Sequence, residues 1–269
     1  MSNNDYILGA DDEELKRLHL QHEVWLSEAI RGWNLANFKV GQTILDLGSG
    51  PGYCSVELSK IVGNTGKIIC LDKSKHFIKY LNQVKKLNHL PLKPVLSSFD
   101  DFDFGFNSLH GMYCRWALAW IPNPLEILEK ISKALIPQGK MVIQEYYDWS
   151  THQTKPEMPG LKHAIAKSLE SFNNTDSEID IGCYIPKILS ELGLEILSIR
   201  LMSKIATPHS RNWNWPITFY KSYFPRLQSM KFITEHELGK ANNDIKKLSK
   251  LPYATICCPL MVEVIAQKN

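Results

Sequence analysis

With 269 residues, and 31 lysines and arginines against 28 acids for a net charge of +3, the chain carries neither a basic block for a phosphate backbone nor an acidic tail. That length is enough to bury a substantial core in one enlarged domain, or in one domain with a cap. Six cysteines (54, 70, 114, 183, 257 and 258) form no C-x-x-C pair, which removes zinc ribbons and dithiol redox motifs and leaves no metal site in view.

The opening MSNNDYILGADDEEL is polar and acidic, unlike a signal peptide. Acids at 11–14 then front a helix, where they favour its dipole, and Leu15, Leu18, Trp25, Leu26 and Ile30 carry an apolar stripe to about Arg31. The stretch from Thr43 to Ser74 has the most information. Ile44 to Leu47 reads as an apolar strand, Gly48 to Gly52 as a glycine-rich turn, and an amphipathic helix follows. After Gly63-Asn64-Thr65-Gly66, a second strand (Lys67 to Leu71) ends on Asp72. This is a βαβ unit with a nucleoside-binding fingerprint, and Asp72 stands where such units hold a ribose diol. Two residues break the dinucleotide pattern. Tyr53 occupies its third glycine position, and Asp46 inside the first strand would repel a pyrophosphate but suits an ammonium-bearing ligand.

Further along, the spacing predicts a helix over Lys73 to Asn88, a short strand at Pro94 to Ser97 and another at Asn107 to Cys114. A proline-started helix follows over Pro124 to Leu135, then a turn at Ile136 to Lys140 and a strand at Met141 to Tyr146. Gly160 to Phe172 and Ile185 to Leu192 read as helices, and Leu194 to Leu201 as a strand. Arg211 to Leu227 is rich in aromatics, with Trp213 and Trp215 expected to fill a cap's core. Thr234 to Leu248 opens with a capping box, and Ile256 to Ala266 is the last strand. No apolar run approaches the roughly 20 residues of a membrane span, so the expectation is a cytoplasmic chain with no membrane and no nucleic-acid partner.

D-x-G-x-G-x-G followed by a strand-end acid resembles the S-adenosylmethionine (SAM) site of class I methyltransferases. Around it, Y-x-x-G with E-x-x-R-L-x-x-Q (Tyr6, Gly9, Arg17, Gln21) and C-R-W-x-L…P-x-P…Q-E (Cys114 to Glu145) resemble a small-molecule subgroup of that superfamily, so the likeness covers about Tyr6 to Tyr147. The resemblance implies an α/β fold, a Rossmann-like seven-stranded, mostly parallel sheet with a helical cap. It implies an N-terminal segment (1–35) over the cofactor, a SAM-binding core (36–149), and remaining strands with cap insertions at about 150–183 and 209–250. It implies cofactor contacts from Tyr6, Gln21, Asp46, Gly48, Ser49, Gly50, Gly52, Asp72, Lys73, Ser98, Phe99, Arg115, Trp116 and Ala117. Ser98-Phe99 is a departure, since the family usually carries an acid there for the adenine amino group; Asp100 is the substitute if the loop is shifted.

A sulfonium makes its methyl group electrophilic, so the protein's task is to place the acceptor in line and exclude water. For an acceptor that must lose a proton, Glu145, His152 and His209 are the candidate bases by position. The expected activity is SAM-dependent methyl transfer to a small molecule. The absence of [DN]-P-P-[YFW] after the fourth strand argues against nucleic-acid amino groups. A protein acceptor, or SAM binding without turnover, stays open, as does the oligomeric state.

Overall fold

The computed structural model describes residues 12–269. Thr43–Leu47 (β1) lies mid-sheet because its apolar side chains are buried on both faces. It pairs in parallel with Lys67–Asp72 (β2) on one side and Leu109–Arg115 (β4) on the other. Leu92–Leu96 (β3) continues beyond β2, and Leu135–Asp148 (β5) beyond β4. Two long strands, Leu194–Met202 (β7) and Leu260–Lys268 (β10), complete a seven-stranded sheet in the order β3-β2-β1-β4-β5-β10-β7, with β10 antiparallel to both neighbours.

Helices Asp12–Leu35 (α1), Tyr53–Val62 (α2), Lys75–Asn88 (α3) and Pro124–Ala134 (α4) belong to this half of the chain. Ser74 caps α3 by accepting from the Phe77 N–H. None of the helices among the described residues is long and apolar enough to cross a membrane. All six cysteines are free thiols, with Cys54, Cys70, Cys114 and Cys258 buried.

Two differences from the expected elements have plain causes. The anticipated turn at 136–140 is absorbed into β5, with the irregularity concentrated at Gln138, whose φ is 64°. The anticipated last strand is broken at Cys258-Pro259, since proline has no N–H for a ladder. Its first part, Thr255–Cys257 (β9), joins a separate three-stranded sheet between Gln153–Lys155 (β6) and Ile205–Ala206 (β8). The aromatic-rich segment is a helix, Asn214–Ser229 (α7), which packs beside Pro159–Asn173 (α5) and Glu235–Leu248 (α8). Thr234 and Glu237 form the expected reciprocal capping box on α8.

α1 is fastened to the sheet by a polar cluster as well as by Ala29 and Trp33. Gln144 donates from Nε2 to Glu263 Oε2 at 2.6 Å, and Arg200 bridges Glu263 Oε1 at 3.0 Å and Glu28 Oε2 at 2.8 Å. Glu263 is fully buried. Removing one partner of a buried ion pair strands the other. Glu263→Ala is therefore expected to lower unfolding free energy by about 3 kcal/mol in urea titration, and Glu263→Gln by clearly less. Equal losses in the two variants would mean that packing, not charge pairing, holds α1.

Candidate functional site

The register places Leu47 beside Leu71 and Cys114, so β1, β2 and β4 end together. A cavity of about 670 Å³ opens above these ends, within the ~300–1,000 Å³ usual for ligand sites. The glycine turn forms its floor. Gly50 has φ +54°, and a Cβ built there would meet nothing within 4 Å, so its face is open to the cavity. Its N–H donates to Asp72 Oδ2 at 2.7 Å, while Ser74 N–H donates to Asp72 Oδ1 at 2.8 Å. Asp72 thus ties the β1 turn to the β2 turn; burial pushes its carboxyl up, partly offset by those two donors.

Asp46 is buried beneath the same turn and accepts from Ser55 Oγ. Burial raises its pKa to about 6, against the pull of that hydrogen bond and of Arg115. Ser49 Oγ and Arg115 Nη1 are buried beside this cavity with no hydrogen-bond partner among the described residues. Orphaned polar atoms in a roomy cavity fit a polar, nucleoside-sized ligand.

Twelve of the residues expected to hold a cofactor line this one cavity: Gln21, Asp46, Gly48, Ser49, Gly50, Asp72, Lys73, Ser98, Phe99, Arg115, Trp116 and Ala117. Tyr6 lies outside the described residues. Gly52 is not among the residues lining the cavity, although its neighbours Pro51 and Tyr53 are. A Cβ there would stand 2.3 Å from Leu81 Cδ1, so Gly52 serves the close packing of α2's start on α3. Ser98 donates its hydroxyl to Asp101 Oδ2 at 2.6 Å, and Asp100 and Asp101 line the same cavity, so carboxylates stand close to the position where the family usually carries an acid.

A second, smaller cavity of about 40 Å³ adjoins the first. Its wall is aromatic: Trp116, Trp120, Tyr146, Trp149, Phe172, Trp215 and Phe219, with His152, Arg17 and Gln21. Trp116 is held at φ +55°, an uncommon conformation for a bulky residue. Its indole stacks on that of Trp215 at 5.8 Å and 23°, with Trp25 edge-on to both. Gln21, Trp116 and Trp120 line both cavities, so these three form the boundary between them. Trp215 is buried in the hydrophobic core, as expected, and in addition it lines this cavity and donates from Nε1 to Gln21 Oε1 at 2.9 Å. The aromatic density of 211–227 was the available signal, but a helical stripe does not say which ring meets a void.

The three candidate bases are not brought together. His209 sits exposed in a loop and lines neither cavity. Glu145 is sealed behind the β4 end: its Oε1 accepts from the Ala117 and Leu118 N–H groups, both at 2.9 Å, and it lines neither cavity. Burial raises its pKa to about 7, the two backbone donors opposing the shift. Glu145 therefore shapes the turn that carries Trp116 instead of meeting an acceptor. His152 does line the aromatic cavity, but both ring nitrogens are engaged. Nδ1 lies 2.9 Å from the Cys257 carbonyl, which can only accept, so Nδ1 carries the proton. Nε2 must then accept from Tyr220 Oη at 2.7 Å. Burial lowers its pKa to about 4, and the ring stays neutral at physiological pH. None of the three is a ready general base.

Residues 38–204 match the Methyltransferase domain family. The chain is 30% identical over 168 residues to a demethylmenaquinone methyltransferase of Oceanobacillus iheyensis, covering 57% of this chain and 67% of that protein. It is 26% identical over 144 residues to a ubiquinone/menaquinone biosynthesis C-methyltransferase of Legionella pneumophila, covering 52% and 53%. The match thus spans only about half to two thirds of the length of these curated relatives. Among solved structures, a SAM-dependent methyltransferase from Aquifex aeolicus superposes with TM-score 0.53 at 17% identity, over 70% of this chain and 92% of that one. Phosphoethanolamine N-methyltransferase 2 of Haemonchus contortus, solved with SAM, superposes with TM-score 0.55 at 16% identity, over 90% and 52%. At such identities these two likenesses concern the fold. With the family match, the seven-stranded sheet with its antiparallel β10, and the glycine turn at the strand ends, the chain belongs to the class I SAM-dependent methyltransferases.

Proposed function

We propose that this chain transfers the methyl group of SAM to a small, planar, largely apolar acceptor seated against the aromatic cavity, with SAM in the larger one. The observation that carries the reading is the shared wall of Gln21, Trp116 and Trp120, which puts an aromatic compartment directly against a nucleoside-sized one. SAM supplies an electrophilic methyl on a sulfonium. The chain's own residues bind, orient and exclude water: Asp72 organises the floor, Arg115 to Ala117 form the flank, and stacked indoles close the acceptor side. At about 40 Å³ the aromatic cavity has room for only a few waters, so a ring-sized acceptor requires Phe219 on α7 to give way while Trp215 keeps its bond to Gln21. The relatives named for demethylmenaquinone and for ubiquinone/menaquinone biosynthesis favour a quinol-like ring as the class.

The test is a SAM turnover assay, reading S-adenosylhomocysteine, across hydroquinones and naphthols, small amines and peptides. Turnover confined to the ring compounds supports the reading. Turnover only on peptides, or SAM bound with no product from any acceptor, removes it.

The electrostatics give a separate check. A cationic cofactor above Asp46 favours its ionised form, so binding from low pH releases a proton and affinity rises as pH climbs through about 6. SAM is expected to bind roughly fourfold tighter at pH 7 than at pH 5.5 by titration calorimetry. Asp46→Asn should flatten that slope; an unchanged slope would assign it to other groups.

A further inference from the structure

A neutral alcohol or protonated amine loses a proton as it is methylated and needs a base within hydrogen-bond reach. Among the described residues, the side chains of the aromatic cavity present donors and no such base. His152 has both nitrogens committed. Tyr146, whose phenol burial pushes up, stays protonated. Gln21 has its carbonyl oxygen occupied twice, by Arg17 Nη1 at 3.0 Å and Trp215 Nε1 at 2.9 Å. Those two bonds fix the amide's orientation and leave Nε2, the donor end, without a partner among the described residues, on a side chain that borders both cavities.

Beside it stands a cation. Arg17 lines the aromatic cavity and is only 6% exposed. It is paired with Glu14 through Nε at 2.7 Å and Nη2 at 2.6 Å, and Glu14 is itself buried. Burying an Arg–Glu pair costs desolvation that an apolar pair would avoid, and here the pair stands at the wall of an otherwise aromatic compartment. Arg17 and Gln21 are four residues apart on α1 and so share one helix face. A guanidinium and an amide N–H₂ on one face, against aromatic planes, form a receptor for an oxygen anion on a flat ring.

We propose that the acceptor enters already ionised, as a planar aromatic oxyanion (a phenolate or a conjugated enolate), and that Arg17 and Gln21 recognise its charged oxygen. The inference rests on the reading that the aromatic cavity is the acceptor site. An electron pair of the ionised acceptor forms the new bond to the methyl carbon, while the carbon–sulfur pair returns to sulfur as a thioether. The anion's charge and the sulfonium's charge cancel in that step, and no proton moves in it. The missing base is then accounted for, because the proton is lost before binding. Arg17 is a specificity residue here, distinguishing acceptors by charge.

The test uses the full chain loaded with S-adenosylhomocysteine, whose binding is first measured by calorimetry. Three flat probes are compared: 2-hydroxy-1,4-naphthoquinone, ionised at neutral pH; 2-methoxy-1,4-naphthoquinone, with no acidic proton; and 1-naphthylmethylammonium. The hydroxy probe is expected to bind at least about tenfold more tightly than the other two, the scale of a charge-assisted hydrogen bond. Because Arg17 and Glu14 form a buried ion pair, the paired variant Glu14→Gln with Arg17→Gln is used. It should lose the preference, to within about threefold, while binding the methoxy probe and S-adenosylhomocysteine as before. Arg17→Lys, keeping the charge, should retain part of the preference. Equal binding of all three probes, tightest binding of the ammonium, or a preference that survives the paired variant would overturn the proposal. Failure of the wild-type chain to bind S-adenosylhomocysteine overturns the cofactor site itself, and is seen before any probe is added.

Discussion

Gly50→Val is expected to abolish SAM binding, raising Kd by at least about a hundredfold, while the chain still folds. Two effects separate at this position. The backbone stands at φ +54°, where an L side chain costs about 1–2 kcal/mol, and the new side chain projects into open cavity space. Gly193 offers a control, since it has φ +77° and an equally open Cβ direction, but follows helix Ile185–Glu191 and lines neither cavity. Gly193→Val should lose comparable stability in thermal unfolding and bind SAM normally. If Gly50→Val and Gly193→Val bind SAM alike, the turn is structural and the cavity above it is not the cofactor site.

Glu145 gives the second large effect, and it separates a turn-holding role from a catalytic one. Glu145→Ala leaves the buried N–H groups of Ala117 and Leu118 without their acceptor. The expected loss is about 2–4 kcal/mol, together with weakened SAM binding as the 115–118 turn relaxes. Glu145→Gln keeps an acceptor oxygen for both groups, so turnover should stay within a few fold of the natural chain. A collapse of kcat in Glu145→Gln, with SAM affinity intact, would restore Glu145 as a base.

The pH dependence of stability follows from the same group. Burial raises the Glu145 pKa from 4.5 to about 7, so between those values the folded chain keeps a proton that the unfolded chain releases. Its contribution is most favourable below pH 4.5 and is lost as pH rises through about 7. Glu145→Gln, which cannot titrate, should flatten the fall in urea midpoint across that window. Asp46 contributes in the same direction, and its part should persist in the variant.

Much of the larger cavity was legible in the chain because its floor is local. Asp46, the glycine turn and Asp72 lie within one βαβ unit of about thirty residues, where strand period and turn chemistry fix which groups converge. Arg115 to Ala117 were singled out through the resemblance of C-R-W-x-L to the methyltransferase pattern, and they do line the larger cavity. Gly52 was less legible, because a fingerprint glycine has two uses, approach of a ligand and approach of a helix, and the position of Leu81 shows the second at work here.

The aromatic cavity is assembled from distant segments: Arg17 and Gln21 on α1, Trp116 and Trp120 after β4, Tyr146 and Trp149 at the end of β5, His152 before β6, Phe172 on α5, and Trp215 and Phe219 on α7. By itself, the sequence determined the fold class and, through its resemblance to class I methyltransferases, the methyl donor, because alternation, glycine placement and strand-end acids act over short range. Only the tertiary structure decided that Trp215 faces a cavity, that Glu145 serves a turn, that His152 has no free nitrogen, and that Arg17 stands against the aromatic wall. Each of these depends on a partner separated by tens to hundreds of residues, and no local preference encodes which of many buried polar or aromatic groups meets which.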